Sequence, residues 1–274
     1  MSGALRLEAP AKLNLGLTVV GRREDGLHLL DSVFVLLELA DQLLLMPGGT
    51  GLRLEGEGAD VLPVGDENLA WRGLRAGLDG EPELACLALE KRIPAAAGLG
   101  GGSSDAAAAW RLGRAWRGRS ESAGVEDLDV LAGIGADVPF FASCLAAARV
   151  TGIGERVEGL APELRHVVLA HAPFGLSTAA VFAELRSGDW GSQANDLLAP
   201  ARRLRPELDG LIAAVTSAGG QPRLSGSGPT IFSLTDDPDR AAAISTRLRD
   251  AGVRASVTRT RVAAASIERI TEED

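Results

Sequence analysis

Between Pro94 and Trp110 the chain reads PAAAGLGGGSSDAAAAW, and this run limits its architecture more than any other. Four glycines (Gly98, Gly100, Gly101 and Gly102) precede two serines and then a run of alanine, the strongest helix former. Glycine lets a loop turn its N–H groups inward and removes the Cβ that would bar a ligand. A helix opening at Ser103 aims unpaired N–H groups and the positive end of its dipole at the same point. Such a loop binds an anion, and phosphate is the usual one. A tight turn with a serine cap needs one glycine, not four. Leu84 to Leu89 reads as a strand feeding the loop, so the segment is a strand–glycine loop–helix unit.

Composition narrows the range of partners. The 274 residues make one large domain or two ordinary ones. Hydrophobic residues at 46% and charged residues at 24% are those of a soluble globular protein. A net charge of −9 opposes nucleic acid as a partner, so an anionic ligand must be held by local donors. The longest apolar stretch, Val33 to Leu45, is broken by Glu38, Asp41 and Gln42 and falls short of a membrane span. No basic segment followed by an apolar run opens the chain, so a cytoplasmic protein without a signal peptide is expected. Cys86 and Cys144 have no CxxC partner and read as reduced core thiols. His28, His166 and His171 lack metal-ligand spacing, which opposes a structural zinc. All but two of the 28 cationic side chains are arginine. The exceptions, Lys12 and Lys91, invite a chemical explanation, because a compact ammonium does what a planar guanidinium cannot.

Along the chain, alternation of Leu13, Leu15, Leu17 and Val19 predicts a strand, and further strands are predicted at Val33 to Leu39 and Leu43 to Leu45. GRREDG (Gly21 to Gly26) is a polar turn, and Asn68 to Leu78 is helical. After Gly118 short helices precede IGADVPFF (Ile134 to Phe141) and a strand at Ala146 to Val150. From about Arg156 a second unit is expected. It holds strands at His166 to Ala170, Thr230 to Leu234 and Ala255 to Thr260, with helices at Thr178 to Leu185, Ala201 to Ala218 and Asp239 to Ala251. This alternation predicts an α+β sandwich, with a frayed tail at Glu272 to Asp274.

The glycine loop lacks the Gly-Lys-Ser/Thr of a Walker A loop, and no HRD or DFG motif accompanies it. It nearly fits a dinucleotide fingerprint, but does not fall in the first strand–helix unit. Together PAKLNLGL (Pro10 to Leu17), PAAAGLGGGSSDAA and LSGSGPTIF (Leu224 to Phe232) resemble the three signature motifs of the GHMP kinases. REDGLHLLDSVF (Arg23 to Phe34) and IGADVPFF resemble the branch that phosphorylates a cytidine-diphosphate-linked methylerythritol.

The resemblance implies a two-domain α+β GHMP fold. An N-terminal domain like domain 2 of ribosomal protein S5 binds ATP (residues 1–155), and a ferredoxin-like C-terminal domain completes the substrate cleft (156–274). It further implies ATP and Mg²⁺ as cofactors, and Lys12 and Asp137 as the catalytic pair. Asp137 would take or orient the hydroxyl proton, while Lys12 neutralises the moving phosphoryl group. The ATP loop would comprise Pro94, Ala95, Ala96, Ala97, Gly98, Leu99, Gly100, Gly101, Gly102, Ser103 and Ser104. Asn14, His28 and Phe182 would bind substrate, with His28 at the cytosine edge. One departure is plain: Leu27 stands where the family carries Tyr before that histidine, and the chain has no tyrosine. The expected partners are small molecules, not nucleic acid or membrane, and the expected state is a monomer or weak homodimer. A GHMP kinase for another alcohol, a non-catalytic metabolite sensor of the same fold, and a dinucleotide-binding reductase are the alternatives.

Overall fold

The computed structural model describes residues 3–49, 51–80 and 85–270. Leu84, the predicted start of a strand, and the tail from Glu272 to Asp274 lie outside the described residues.

Two long strands, β1 (Ala4–Arg22) and β2 (His28–Pro47), form an antiparallel ribbon closed by the polar turn of residues 23–27. The two strands predicted between Val33 and Leu45 are one, because Asp41 stays in the ladder opposite Ala9 rather than ending it. β3 (Gly51–Gly56), α1 (Leu69–Leu78) and β4 (Ala85–Lys91) make a parallel crossover beside β2, and Asn68 caps α1 by accepting from the Ala70 N–H. β4 enters the glycine loop, and α2 (Gly101–Trp116) leaves it. Short helices α3 (Leu128–Ile134) and α4 (Val138–Ala142) lead into β5 (Ala147–Gly152) and β6 (Arg156–Gly159). β2 serves two neighbours on its second edge: β5 along Leu30–Val35 and β4 along Gln42–Pro47.

A second antiparallel sheet, in the order β10-β7-β9-β8, comprises β7 (His166–Ala170), β8 (Arg223–Leu224), β9 (Ile231–Thr235) and β10 (Ala255–Arg259). Its helices are α5 (Thr178–Glu184), α6 (Leu198–Leu204), α7 (Leu208–Ser217) and α8 (Pro238–Asp250). The single helix predicted over Ala201 to Ala218 is two, since Pro206 cannot continue α6. The chain then returns: β11 (Glu268–Ile270), which the sequence reading lacks, pairs with β1 in the first sheet. β6 also belongs to the first sheet, through β5.

The layers follow from side-chain period. Along β7, Val167 and Leu169 join Leu13, Leu37 and Phe232 between the sheets, while Val168 and Ala170 face the helix-side core with Val181 and Leu248. Both faces of the strand are buried, which is why HVVLA is almost wholly apolar. On the far side of the first sheet α1 crosses α2 at backbone contact. A Cβ on Gly77 would stand 2.2 Å from the Trp110 carbonyl oxygen, and one on Gly73 2.0 Å from that of Ala106. This crossing holds α2, and hence the glycine loop, against the sheet. Gly77→Ala is therefore expected to lower stability by about 1–3 kcal/mol in urea unfolding. Unfolding like that of wild type would show that the helices can separate without cost.

Candidate active site

Three register shifts break the β1–β2 ladder, between Pro10 and Lys12, Asn14 and Gly16, and Val19 and Gly21. Across the first shift Ala11 of β1 stands against three residues of β2 (37–39), and the side-chain alternation changes face there. Leu5, Leu7 and Ala9 enter the core under α1 and α2, yet beyond the first shift Ala11 and Leu13 face the second sheet. Lys12 and Asn14 take the helix side instead. There the Lys12 ammonium lies 4.7 Å from the centre of the Phe34 ring and 3.4 Å from Asp137 Oδ2, and donates to Asn14 Oδ1 at 2.5 Å. Asn14 Nδ2 donates in turn to Ser32 Oγ, and Ser32 to the Gly16 carbonyl, so the amide orientation is set. Lys12 and Asn14 are 4% and 3% exposed, whereas the Asp137 side chain keeps 28% of its surface.

Asp137 occupies the N-cap of α4 but makes no side-chain capping bond. Its carboxylate points at Lys12 rather than at its own helix, which is the opposite of what a structural cap residue does.

The glycine loop meets this pair from above. The Lys12 N–H donates to the Leu99 carbonyl, and a Cβ on Gly100 would lie 3.0 Å from Lys12 Cγ. Helix α2 begins at Gly101 with Gly100 as N-cap at φ 72°, two residues ahead of the predicted start at Ser103. Ser103 lines the cleft, and Ser104 is buried beneath it with its hydroxyl unpaired. The LSGSGP turn closes the other side. Ser225 Oγ donates to the Gly98 carbonyl and the Thr230 N–H to that of Ala97, and a Cβ on Gly98 would lie 2.4 Å from the Ser225 carbonyl oxygen. Asn195 holds this turn by donating to the Leu224 and Gly226 carbonyls.

These walls enclose a cleft of about 430 Å³. Lys12, Asn14, Asp137, Phe182 and the loop from Pro94 to Ser103 line it, as do Leu30, Leu69, Thr178 and Ser227, which sequence reasoning missed. Thr178 and Ser227 are hydrogen-bonded hydroxyls 2.8 Å apart, and no sequence spacing could have paired them. His28 stacks on Phe182 at 5.3 Å between ring centres, and the Trp190 ring stands edge-on to it at 6.3 Å. Burial, then the Arg22 charge, lowers the His28 pKa, so the ring is neutral near pH 7 and has one donor and one acceptor nitrogen.

The second lysine lies directly beneath the loop. The Lys91 ammonium bonds to Asp41 and to Asp105 Oδ2, and Asp41 Oδ1 also accepts the Arg92 and Ile93 N–H groups where the loop leaves β4. Burial lowers the Lys91 pKa, but the two carboxylates more than offset this and raise it. Asp105, deprived of water and beside Asp41, is pushed up to about 8 despite Lys91. With Asp105 raised in this way, the Lys91 ammonium is balanced by the Asp41 carboxylate beneath the loop.

The comparisons with known proteins fit this geometry. Residues 68–144 match the GHMP kinases N terminal domain, and residues 181–254 match the GHMP kinases C terminal model. A homoserine kinase from Cytophaga hutchinsonii shares the fold, with a TM-score of 0.67 at 17% identity over 98% of both chains. The fold is that of the GHMP kinases. A 4-diphosphocytidyl-2-C-methyl-D-erythritol kinase from Granulibacter bethesdensis is 42% identical, covering 85% of this chain and 86% of that one. Another, from Paracoccus denitrificans, is 41% identical over 89% and 91%. A crystal structure of 4-(cytidine 5'-diphospho)-2C-methyl-D-erythritol kinase superimposes with a TM-score of 0.76 at 35% identity, covering 93% and 98%. The chain belongs to the 4-diphosphocytidyl-2-C-methyl-D-erythritol kinases.

A carboxyl whose folded pKa is raised holds a proton that the unfolded chain has lost. Between the ordinary Asp value of 3.8 and about 8, Asp105 therefore makes stability fall as pH rises. The slope approaches about 1.4 kcal/mol per pH unit at most. Asp105→Asn is expected to flatten this dependence, measured by urea unfolding between about pH 5 and 9; parallel curves for the two proteins would show that Asp105 stays ionised.

Proposed function

We propose that this cleft transfers the γ-phosphoryl group of ATP to the 2-hydroxyl of 4-diphosphocytidyl-2-C-methyl-D-erythritol, in the non-mevalonate route to isoprenoid precursors. The observation that carries this reading is the approach of Lys12 to Asp137 under the glycine loop. Phosphoryl transfer needs little covalent help from protein; it needs alignment and charge stabilisation. N–H groups at the start of α2 and along the loop hold the nucleotide phosphates, whose approach no Cβ obstructs.

Asp137 accepts the proton of the substrate hydroxyl as its oxygen attacks the γ-phosphorus, and ADP leaves with the electron pair of the broken P–O bond. The Lys12 ammonium lies beside Asp137, and its side chain runs under the loop, where a Cβ on Gly100 would stand 3.2 Å from Lys12 Cε, so it opposes charge building on the transferred group. Asn14, held by Ser32, fixes the ammonium and keeps it from pairing wholly with Asp137. Phe182, which lines the cleft, and His28, stacked on it, take the cytosine base.

Among the described residues no group of three or more His, Cys, Asp or Glu could hold a metal ion. The donors that fit Mg²⁺ are the Ser103 hydroxyl and the Asp137 carboxylate, both facing the cleft. Mg²⁺ suits such a sparse set, since it keeps several waters and binds chiefly to nucleotide phosphates. When bound, it neutralises phosphate charge.

ADP release is to be followed with Mg²⁺-ATP and the cytidyl substrate, homoserine, mevalonate and galactose. Turnover confined to the cytidyl substrate is expected, and activity on another alcohol instead would overturn the substrate assignment. Asp137→Asn and Lys12→Met are each expected to lower kcat on the order of 10²–10³-fold, with ATP binding retained. A loss below about tenfold in Asp137→Asn would remove it from the chemistry.

A further inference from the structure

Trp190 is the one tryptophan among the large apolar side chains that are markedly exposed in the described residues, at 36%. Its exposure does not come from a loose loop. On one side Asp189 is buried and accepts from Arg203 Nη2 at 2.6 Å and from the Arg186 N–H at 2.8 Å. On the other, the Gly191 N–H donates to Asp196 Oδ2, which also accepts the Val19 N–H of β1. Ser192 Oγ donates back to the Asp189 carbonyl. The backbone is thus pinned on both flanks while a large indole is left facing water beside His28. Ordering that loop is already complete in the free protein, so a ligand that meets the indole does not bear its cost.

The neighbours define what the ligand must be. Phe182 lines the cleft, His28 stacks on it with 23° between ring planes, and Trp190 meets His28 at 83°. Three aromatic rings therefore form a corner with one neutral imidazole in it, suited to a planar, uncharged heterocycle with hydrogen-bonding edges. Leu27, which precedes His28, is half-exposed and offers no ring.

We infer that Trp190 is a specificity-determining residue that supplies an aromatic wall for the pyrimidine of the cytidyl substrate. This rests on the function proposed above and adds to it a residue outside the sequence motifs. Stacking of a base on an aromatic side chain predicts a loss of roughly 5- to 160-fold in affinity when the ring is removed.

The test uses cytidine 5′-diphosphate as probe, with binding by calorimetry and by tryptophan fluorescence, alongside steady-state kinetics. Trp190→Ala is expected to raise the Kd for the probe and the KM for the cytidyl substrate by that factor. kcat and the KM for ATP should stay near wild-type values, which a misfolded variant would not allow. Trp190→Phe is expected to restore most of the affinity but to abolish the fluorescence quench that the probe causes in the wild type. Wild-type affinity in Trp190→Ala, or a quench that persists in Trp190→Phe, would overturn the role of Trp190 while leaving the kinase assignment standing. A wild-type protein that binds no cytidine 5′-diphosphate would overturn the cytidyl reading itself, and this proposal with it.

Discussion

The site depends on one irregularity, the register shift between Pro10 and Lys12 in the β1–β2 ribbon. A regular ladder would continue the alternation of Leu5, Leu7 and Ala9 and turn Lys12 away from the helix side, into the apolar layer between the sheets. An ammonium there would lack Asp137. The shift instead carries Lys12 and Asn14 together to the face over which the glycine loop and α4 close. A long, doubly buried ribbon can hold such a defect because β5 and β4 clamp its second edge on either side.

Around this point the two glycine-bearing turns lean on each other through backbone. Gly98 sits where a Cβ would strike the Ser225 and Gly228 backbone, and Gly226 where one would come within 3.2 Å of Lys12 Nζ and Asn14 Oδ1. Their glycines let turns attached to different elements approach at backbone distance, and in the proposed function they also open the loop to phosphate. The second sheet contributes little charge to the cleft. Its part is shape: the Ser225–Gly228 turn, the Thr178 hydroxyl and the aromatic face of Phe182.

Electrostatics explains how a chain with a net charge of −9 can hold polyanions. Attraction does not come from the surface field, which opposes it. In the proposed function it comes from loop N–H groups, the start of α2 and Lys12, which border the cleft. Lys91 works one layer below. Two carboxylates against one ammonium would place a negative charge under the glycine loop, and the raised pKa of Asp105 opposes this. The same cluster ties β2, β4 and α2 together where the loop departs, since Asp41 also takes the Arg92 and Ile93 N–H groups.

The motifs were legible in the amino-acid sequence because their chemistry is local. Four glycines and two serines before an alanine run specify a loop and a helix start whatever lies around them, and two lysines among arginines stand out by composition alone. Most element types could be read for the same reason, but not all bounds: β1 begins at Ala4, well before the predicted Leu13, and β3, β6 and β8 had no predicted counterpart. Other features depended on neighbours distant in sequence: the merging of two predicted strands into β2, the return of β11 to β1, and the burial of Ser104. The sequence by itself determined which groups were available, namely an anion loop, two lysines, a free aspartate and a histidine. Only the tertiary structure decided which of them meet, because a register shift and backbone contacts between glycine turns act between segments up to about 200 residues apart. Trp190 reached the aromatic corner in that way: no spacing links it to His28, and only the fold sets the two rings side by side.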